Sequence, residues 1–266
     1  MSNSKRPSRP SAASAGTGSS RKTSRSSQVA IVLIMVFCVA AVFGIPQLLS
    51  KNDKATTGSG PLVANPSPAS VGDVSCETAP PAVTNPPQTN APPDPSLAEG
   101  STWEATLHTT CGDIRIELDG KAAPQTVASF IGLARSDYWK DSPCHRLTTE
   151  ATGIFVLQCG DPTGTGGGSP GYGFGIENAP ADGQYPRGTV AMARGQDPNS
   201  NGGQFFFVYK DTQLPTGGGG YTIFGKVTEG LQIIDAIAAK RVEDKQSDGA
   251  PFQPISILSV DVEKKG

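Results

Sequence analysis

From 51 to 101 the chain has little with which to build a hydrophobic core. Pro80, Pro81, Pro86, Pro87, Pro92, Pro93 and Pro95 stand among Ser, Thr, Ala and Asn, and large apolar side chains are few. Such a stretch buries too little apolar surface to offset the entropy of ordering it, so residues 50–101 are expected to be a disordered, Pro-rich linker. About 50 residues reach ~40 Å as a flexible coil and ~150 Å as a polyproline helix, which makes the stretch a semi-rigid spacer. The 266-residue chain is thereby cut in two, and residues 102–266 must hold the folded domain.

The other side of the linker reads differently. Residues 1–28 carry Lys5, Arg6, Arg9, Arg21, Lys22 and Arg25 with no acid, among Ser, Ala and Gly, which predicts a disordered basic tail. Residues 29–49, VAIVLIMVFCVAAVFGIPQLL, contain no charge and match the ~20 residues that cross a ~30 Å hydrocarbon core. A single transmembrane helix is expected there. It is longer than the apolar run of an ordinary cleaved signal and lacks a clean small-residue cleavage site. With the positive charges ahead of it, the tail is placed in the cytoplasm and the C-terminal domain outside. The expected protein is single-pass in the cell membrane, with an extracytoplasmic domain. The formal net charge is only −2 and the basic residues concentrate at the extreme N-terminus, so no nucleic-acid footprint is suggested.

After Ser101 short apolar alternations begin. Trp103 to His108 and Ile114 to Leu118 read as two half-buried strands joined at Cys111-Gly112-Asp113. Pro124 opens a helical stretch in which Val127, Phe130, Ile131 and Ala134 recur at three- and four-residue spacing, with Pro at the first helical position. Leu231, Ile234, Ile237 and Ala238 form the stripe of a second helix. The remaining runs, 154–158, 188–193, 204–209, 222–227 and 255–262, are strand-like. Two helices among seven or eight short strands describe a mainly β domain, a closed antiparallel barrel.

Several motifs mislead. The loop GTGGGSPGYGFG, 164–175, matches a nucleophile elbow at Ser169, yet both histidines, His108 and His145, precede it, and no strand-turn-helix surrounds it. Its glycine spacing also resembles a dinucleotide fingerprint, but no helix follows. Near 220–226 a phosphate-loop pattern fails because Val227 stands where Ser or Thr must hold magnesium. Cys76, Cys111, Cys144 and Cys159 lack zinc-site spacing, so no metal is expected, and outside the cytoplasm four cysteines point to disulfides. Three pairings are open. Cys144 and Cys159 bracket an expected hairpin and are the favoured pair.

Five segments carry the function: Cys144-His-Arg-Leu147; Gly153-Ile-Phe-Val-Leu-Gln-Cys-Gly-Asp161; Ala191-Met-Ala-Arg194; Asn199-Ser-Asn-Gly-Gly-Gln-Phe-Phe-Phe207; and Tyr221-Thr-Ile-Phe-Gly-Lys-Val227. In order and content they resemble the FHR, GF-x-x-QGGD, SMA-x-A, NGSQFF and V-FG-KV segments of cyclophilin-type peptidyl-prolyl cis-trans isomerases, across nearly the whole C-terminal block. The resemblance implies a closed, eight-stranded cyclophilin-like barrel with two helices. It also implies acceleration of X-Pro rotation in proline-containing polypeptides, assisting protein folding, with no cofactor; the expected location and tether make secreted or envelope proteins the expected clients. By the same resemblance Arg146 is the catalytic arginine, oriented by Gln158. Phe155, Val156, Ala193, Arg194, Gln204, Phe206, Leu214 and Tyr221 would line the proline pocket and groove.

Read without the resemblance, an isolated Arg on a strand is a solvated residue and Phe205, Phe206 and Phe207 are core. Strand alternation separates Phe155, Leu157 and Cys159 from Val156 and Gln158 but does not say which face is the pocket. His145, next to Arg146, reads as structural. There are departures from the pattern too. The turn between Arg146 and Phe155 is longer, Arg194 stands where Asn is usual, Gln213 replaces Trp, and Tyr221 replaces His; the last two weaken the case for cyclosporin binding. The competing function is a non-catalytic module that holds proline-containing segments in the same groove.

Overall fold

A computed structural model describes residues 74–266. The expected basic tail, 1–28, and membrane helix, 29–49, lie outside the described residues. Within them, no helix is long and apolar enough to cross a membrane.

In chain order the elements are β1 (Thr102–Thr109), β2 (Gly112–Asp119), α1 (Pro124–Arg135), β3 (Ser142–Pro143), β4 (Arg146–Thr148), β5 (Val156–Cys159), β6 (Gln184–Tyr185), β7 (Thr189–Met192), β8 (Phe205–Val208), β9 (Thr212–Gln213), β10 (Ile223–Glu229), α2 (Leu231–Lys240), β11 (Asp248–Gly249) and β12 (Ser256–Lys264). Ten strands form one antiparallel sheet in the order β11-β4-β5-β8-β7-β10-β2-β1-β12-β3, and β6 and β9 make a separate ribbon. The expectation of a closed eight-stranded barrel is corrected here. The sheet curls into a half-barrel whose ladder ends at β11 on one side and β3 on the other. Both edge strands are two residues long, and Pro143 in β3 has no N–H to offer a further neighbour.

Alternation builds the core as the sequence suggests. In β1 and β2, Ala105, Leu107, Ile114, Ile116 and Leu118 are essentially inaccessible, while their neighbours face outward. Phe205 and Phe207 of β8 enter the same core; Phe205 meets Trp139, Phe130 and Phe207 edge-on, with Phe205 and Trp139 ring centroids 5.5 Å apart. Helix α1 covers this core with Val127, Phe130, Ile131 and Leu133. It ends at Arg135, because Asp137 turns to φ 54° and the Tyr138 N–H closes back on the Leu133 carbonyl. Its N-terminal residue before Pro124 is Ala123, which has no side chain to cap with. Glu177 from a distant loop substitutes, accepting from the Gln125 N–H at 2.9 Å, the Thr126 N–H at 2.8 Å and the Thr126 hydroxyl at 2.6 Å.

The linker boundary near Ser101 is also corrected. Residues 74–101 run along the folded domain as a strap. A disulfide joins Cys76 to Cys111 in the β1–β2 turn, and the Glu77 N–H reaches the Thr110 carbonyl at 2.7 Å. Farther on, the Val83 N–H donates to the Pro162 carbonyl at 2.9 Å and the Thr89 N–H to the Pro170 carbonyl at 2.8 Å. Pro93 packs where a Cβ on Gly132 of α1 would lie, and its carbonyl accepts from Gln125 Nε2. Composition shows only that this stretch has no core of its own; it borrows one.

Candidate active site

Two side-chain rows run across the sheet, one on each face. Directly opposed residues of antiparallel neighbours project to the same side. The register pairs Arg146 with Gln158, Gln158 with Phe206, Phe206 with Ala191, and Ala191 with Ile223, through β4, β5, β8, β7 and β10. One step along, Leu147, Leu157, Phe207 and Val190 pair in the same way and face the main core. The Arg146 row therefore lies on the outer face. There Val156, Tyr185, Ala191, Phe206, Val208 and Leu214 form a second, smaller apolar cluster, with Ala193 and Tyr221 packed at its rim.

This cluster is a cup walled by aromatic rings. Phe206 and Tyr221 meet edge-on with centroids 5.8 Å apart, and Tyr185 stands 6.3 Å from Phe206. The Tyr185 hydroxyl donates to the Tyr221 carbonyl at 2.9 Å and accepts the Tyr221 N–H at 2.8 Å, which fixes the far wall. Burial raises the Tyr185 phenol above its ordinary value, so it remains a neutral donor.

Arg146 stands at the edge of this cup and is half exposed. Its Nε and Nη2 each donate to one oxygen of Asp248 at 2.7 Å, a two-pronged pair, and its Nη1 donates to Gln158 Oε1 at 3.1 Å. A guanidinium has five N–H groups, and these contacts use three. One N–H on Nη1 and one on Nη2 remain for a ligand. The Asp248 carboxylate raises the guanidinium pKa further, so Arg146 is a permanent cation. Asp248 reaches it because β11 pairs with β4. The polar chain continues from Gln158 Nε2 to Gln204 Oε1 at 2.9 Å, and from Gln204 Nε2 to the Gly166 and Gly168 carbonyls at 3.0 Å each.

Next to the cup, beyond Gln158 and Gln204, an open hollow of about 170 Å³ is bounded by Ala193, Arg194 and the glycine-rich loop at Gly166, Gly168 and Pro170. That loop is shaped from inside by Asp161, whose fully buried carboxylate accepts the Gly166 N–H at 2.7 Å and the Gly168 N–H at 3.0 Å. Burial pushes the Asp161 carboxyl upward, but its hydrogen bonds from Thr163 and Gly168 prevail and hold it below the usual carboxylate range.

Of the residues singled out from sequence, the structure brings together Arg146, Gln158, Val156, Ala193, Gln204, Phe206, Leu214 and Tyr221. Phe155 is a correction: one step along the alternation, it lies away from the cup. Its ring meets Tyr209 at 5.9 Å with Lys210 Nζ 4.4 Å above it, in a separate hollow of about 790 Å³. Arg194 borders the 170 Å³ hollow, with three of its five N–H groups donated to the Gly195, Gly218 and Gly220 carbonyls and its guanidinium 5.1 Å over the Tyr221 ring. It pins a loop at the edge of the hollow and keeps its charge there. Cys144 and Cys159 form a disulfide beside the Arg146 strand, as the hairpin spacing suggests. His145 has both ring nitrogens out of solvent and without a partner of good geometry.

Two site residues were not visible in the sequence. Asp248 follows a polar turn with no periodicity, and Tyr185 lies in a Gly- and Pro-rich stretch; each arrives only through long-range strand pairing.

Comparison with known proteins agrees with this geometry. Residues 105–262 match the family model described as cyclophilin type peptidyl-prolyl cis-trans isomerase/CLD. The chain belongs to the cyclophilin family. Among curated proteins, "Probable peptidyl-prolyl cis-trans isomerase B" of Mycobacterium tuberculosis is 41% identical over 181 residues, covering 64% of this chain and 56% of that protein. The match thus spans little more than half of that relative's length. "Peptidyl-prolyl cis-trans isomerase-like 3" of Rattus norvegicus is 40% identical over 144 residues, covering 53% of this chain and 84% of that one. Among solved structures, a Cryptosporidium parvum cyclophilin type peptidyl-prolyl cis-trans isomerase aligns with a TM-score of 0.52 and 28% identity, over 62% of this chain and 99% of that one. The same protein in the presence of the dipeptide Ala-Pro aligns with a TM-score of 0.51, 29% identity and 61% coverage of this chain.

Proposed function

We propose that this cyclophilin is a peptidyl-prolyl cis-trans isomerase that accelerates X-Pro rotation in secreted or envelope polypeptides, held at the outer face of a membrane by residues 29–49. The observation that carries the activity is Arg146, fixed by Asp248 and Gln158 at the edge of an apolar cup, with two N–H groups unspent. An X-Pro amide resists rotation because its nitrogen donates electron density into the carbonyl, with a barrier near ~20 kcal/mol. As the amide twists, that lone pair returns to nitrogen and becomes a hydrogen-bond acceptor. An Arg146 N–H aimed at it stabilises the twisted state more than the planar one, which is the requirement for a gain in rate. The cup of Phe206, Val156 and Leu214 suits a pyrrolidine ring held still while the acyl side turns. Gln158 keeps the guanidinium oriented, and the reaction breaks no covalent bond.

Support for a proline ligand also comes from the related Cryptosporidium parvum protein, whose structure was solved in the presence of Ala-Pro. In the full chain, Arg146→Ala is expected to lower kcat/KM for a short X-Pro peptide by about a hundredfold or more, as loss of one transition-state donor does elsewhere. Cis-to-trans exchange measured with and without the substitution reads this directly. A folded wild-type protein that binds the peptide without accelerating exchange would instead make the domain a proline-binding module.

The location rests on the uncharged run at 29–49 and the positive charges before it. Protease added to intact cells is expected to digest the domain while leaving cytoplasmic markers whole. Full protection of the domain would place it on the other side.

A further inference from the structure

The strap contributes to the site. The loop 160–175 that walls the 170 Å³ hollow is rich in glycine, and in regular pairing it has only the isolated Phe174–Asn201 bridge. Glycine supplies no side-chain packing and the largest backbone freedom, so such a loop keeps one shape only if other groups hold it. Three groups do so, from three directions. Asp161 accepts the Gly166 and Gly168 N–H groups from beneath. Gln204 donates to the carbonyls of the same two glycines from the groove side. From outside, Gln88 Nε2 donates to the Ser169 carbonyl at 2.8 Å and the Thr89 N–H to the Pro170 carbonyl at 2.8 Å. The third holder belongs to neither the sheet nor the loop. It lies outside residues 105–262, the span that matches the family model.

The contact is close. A Cβ on Gly171 would sit 2.5 Å from the Thr89 carbonyl oxygen and 3.1 Å from Gln88 Oε1, so the glycine is what lets the strap approach. From there hydrogen bonds connect the strap to the catalytic arginine: Gln88 and Thr89 to the loop carbonyls, the loop to Gln204, Gln204 to Gln158, and Gln158 to Arg146. The strap is thus bonded to the loop that bounds the hollow beside the cup.

We infer that Gln88 and Thr89 are positioning residues that fix the groove beside the proline cup, so that the Pro-rich strap tunes recognition of the residues flanking the substrate proline. The inference rests on the isomerase reading above. It concerns selectivity for extended chains, not the rotation step itself, because neither residue touches the cup.

The test uses the full chain with Gln88→Ala and Thr89→Pro combined, which removes both donors while keeping the strap extended. Two substrates are compared: a minimal X-Pro peptide, and the same peptide lengthened by three residues at each end. For the long peptide, kcat/KM is expected to fall about fivefold through KM, as lost ground-state contacts do, while the short peptide stays within about twofold. Parallel loss on both peptides, or no change on either, overturns the inference. If the wild-type protein accelerates neither peptide, the isomerase reading fails separately. Calorimetric Kd values for the two peptides then carry the same test: weakened binding of the long peptide alone supports the inference, and an unchanged ratio overturns it.

Discussion

The strap and the curled sheet lie against each other, yet they are held by different physics. In the sheet, alternate residues disappear into a continuous apolar core and every strand is stitched to its neighbours. In the strap only Ala98 is buried, and order comes from one disulfide, a handful of hydrogen bonds to loops and to α1, and the packing of Val74, Leu97 and Pro93 onto the domain. A segment with no core of its own becomes ordered when a covalent link keeps it near acceptors that it then satisfies. Low hydrophobicity shows that a segment cannot fold alone; it does not show that the segment stays free.

The widest gap between the two regions appears in truncation. Phe205→Ala leaves a hole among Trp139, Phe130, Phe207 and Phe224 and is expected to cost about 3–5 kcal/mol in denaturant unfolding. Val83→Ala in the strap is expected to cost less than about 0.5 kcal/mol, the usual range for a surface change. Comparable losses at both positions would abolish the distinction.

Removing the link is next in size. Cys76 and Cys111 are 35 residues apart in sequence, and replacing both by Ala is expected to cost about 2–4 kcal/mol. Beyond that common loss, the Val83 and Thr89 amides should lose hydrogen-exchange protection preferentially, while those of β1 and β2 should not. Equal extra loss in both regions would make them one cooperative unit.

The smallest effect concerns acid. Burial, reinforced by the Arg146 charge and partly offset by Asp161, holds the His145 imidazole below its ordinary value of 6.5. The folded protein therefore resists a proton that the unfolded chain accepts. This contribution is fully present above pH 6.5 and is lost as pH falls through the folded value. His108, raised by its Asp261 and Asp113 partners, acts in the opposite sense, so the contribution of His145 is read as a difference: from pH 7 toward 5 the unfolding temperature of the wild type is expected to fall relative to that of His145→Phe. Parallel profiles for the two proteins would remove His145 from the balance.

Much of the fold could be read in advance where local pattern and burial coincide. Ile114, Ile116 and Leu118 announce a half-buried strand because a period of two has one physical solution, and Val127, Phe130, Ile131 and Ala134 announce a helix for the same reason. Strand count and closure differ from the expected pattern: ten strands form an open, curled sheet and two more a ribbon. Two-residue edge pairs such as β3 and β11 leave no periodic trace, and whether a curled sheet closes is decided by its edges. At the site, the five motifs supplied Arg146, Gln158, Phe206 and Tyr221, whereas alternation alone left the pocket face undecided. The register settled it by placing Val156 with Phe206 and turning Phe155 away.

By itself the sequence determined what depends on neighbours in the chain: which segments alternate, where helices begin, which run is uncharged enough for a membrane, and which motifs sit in order. The tertiary structure decided what depends on distant residues meeting. It brought Asp248 to Arg146 across 102 residues, Glu177 to the start of α1, and Gln88 to the loop that walls the groove. Such contacts have no local signature, because each is fixed by the register of strands and the course of a strap between residues far apart in the chain.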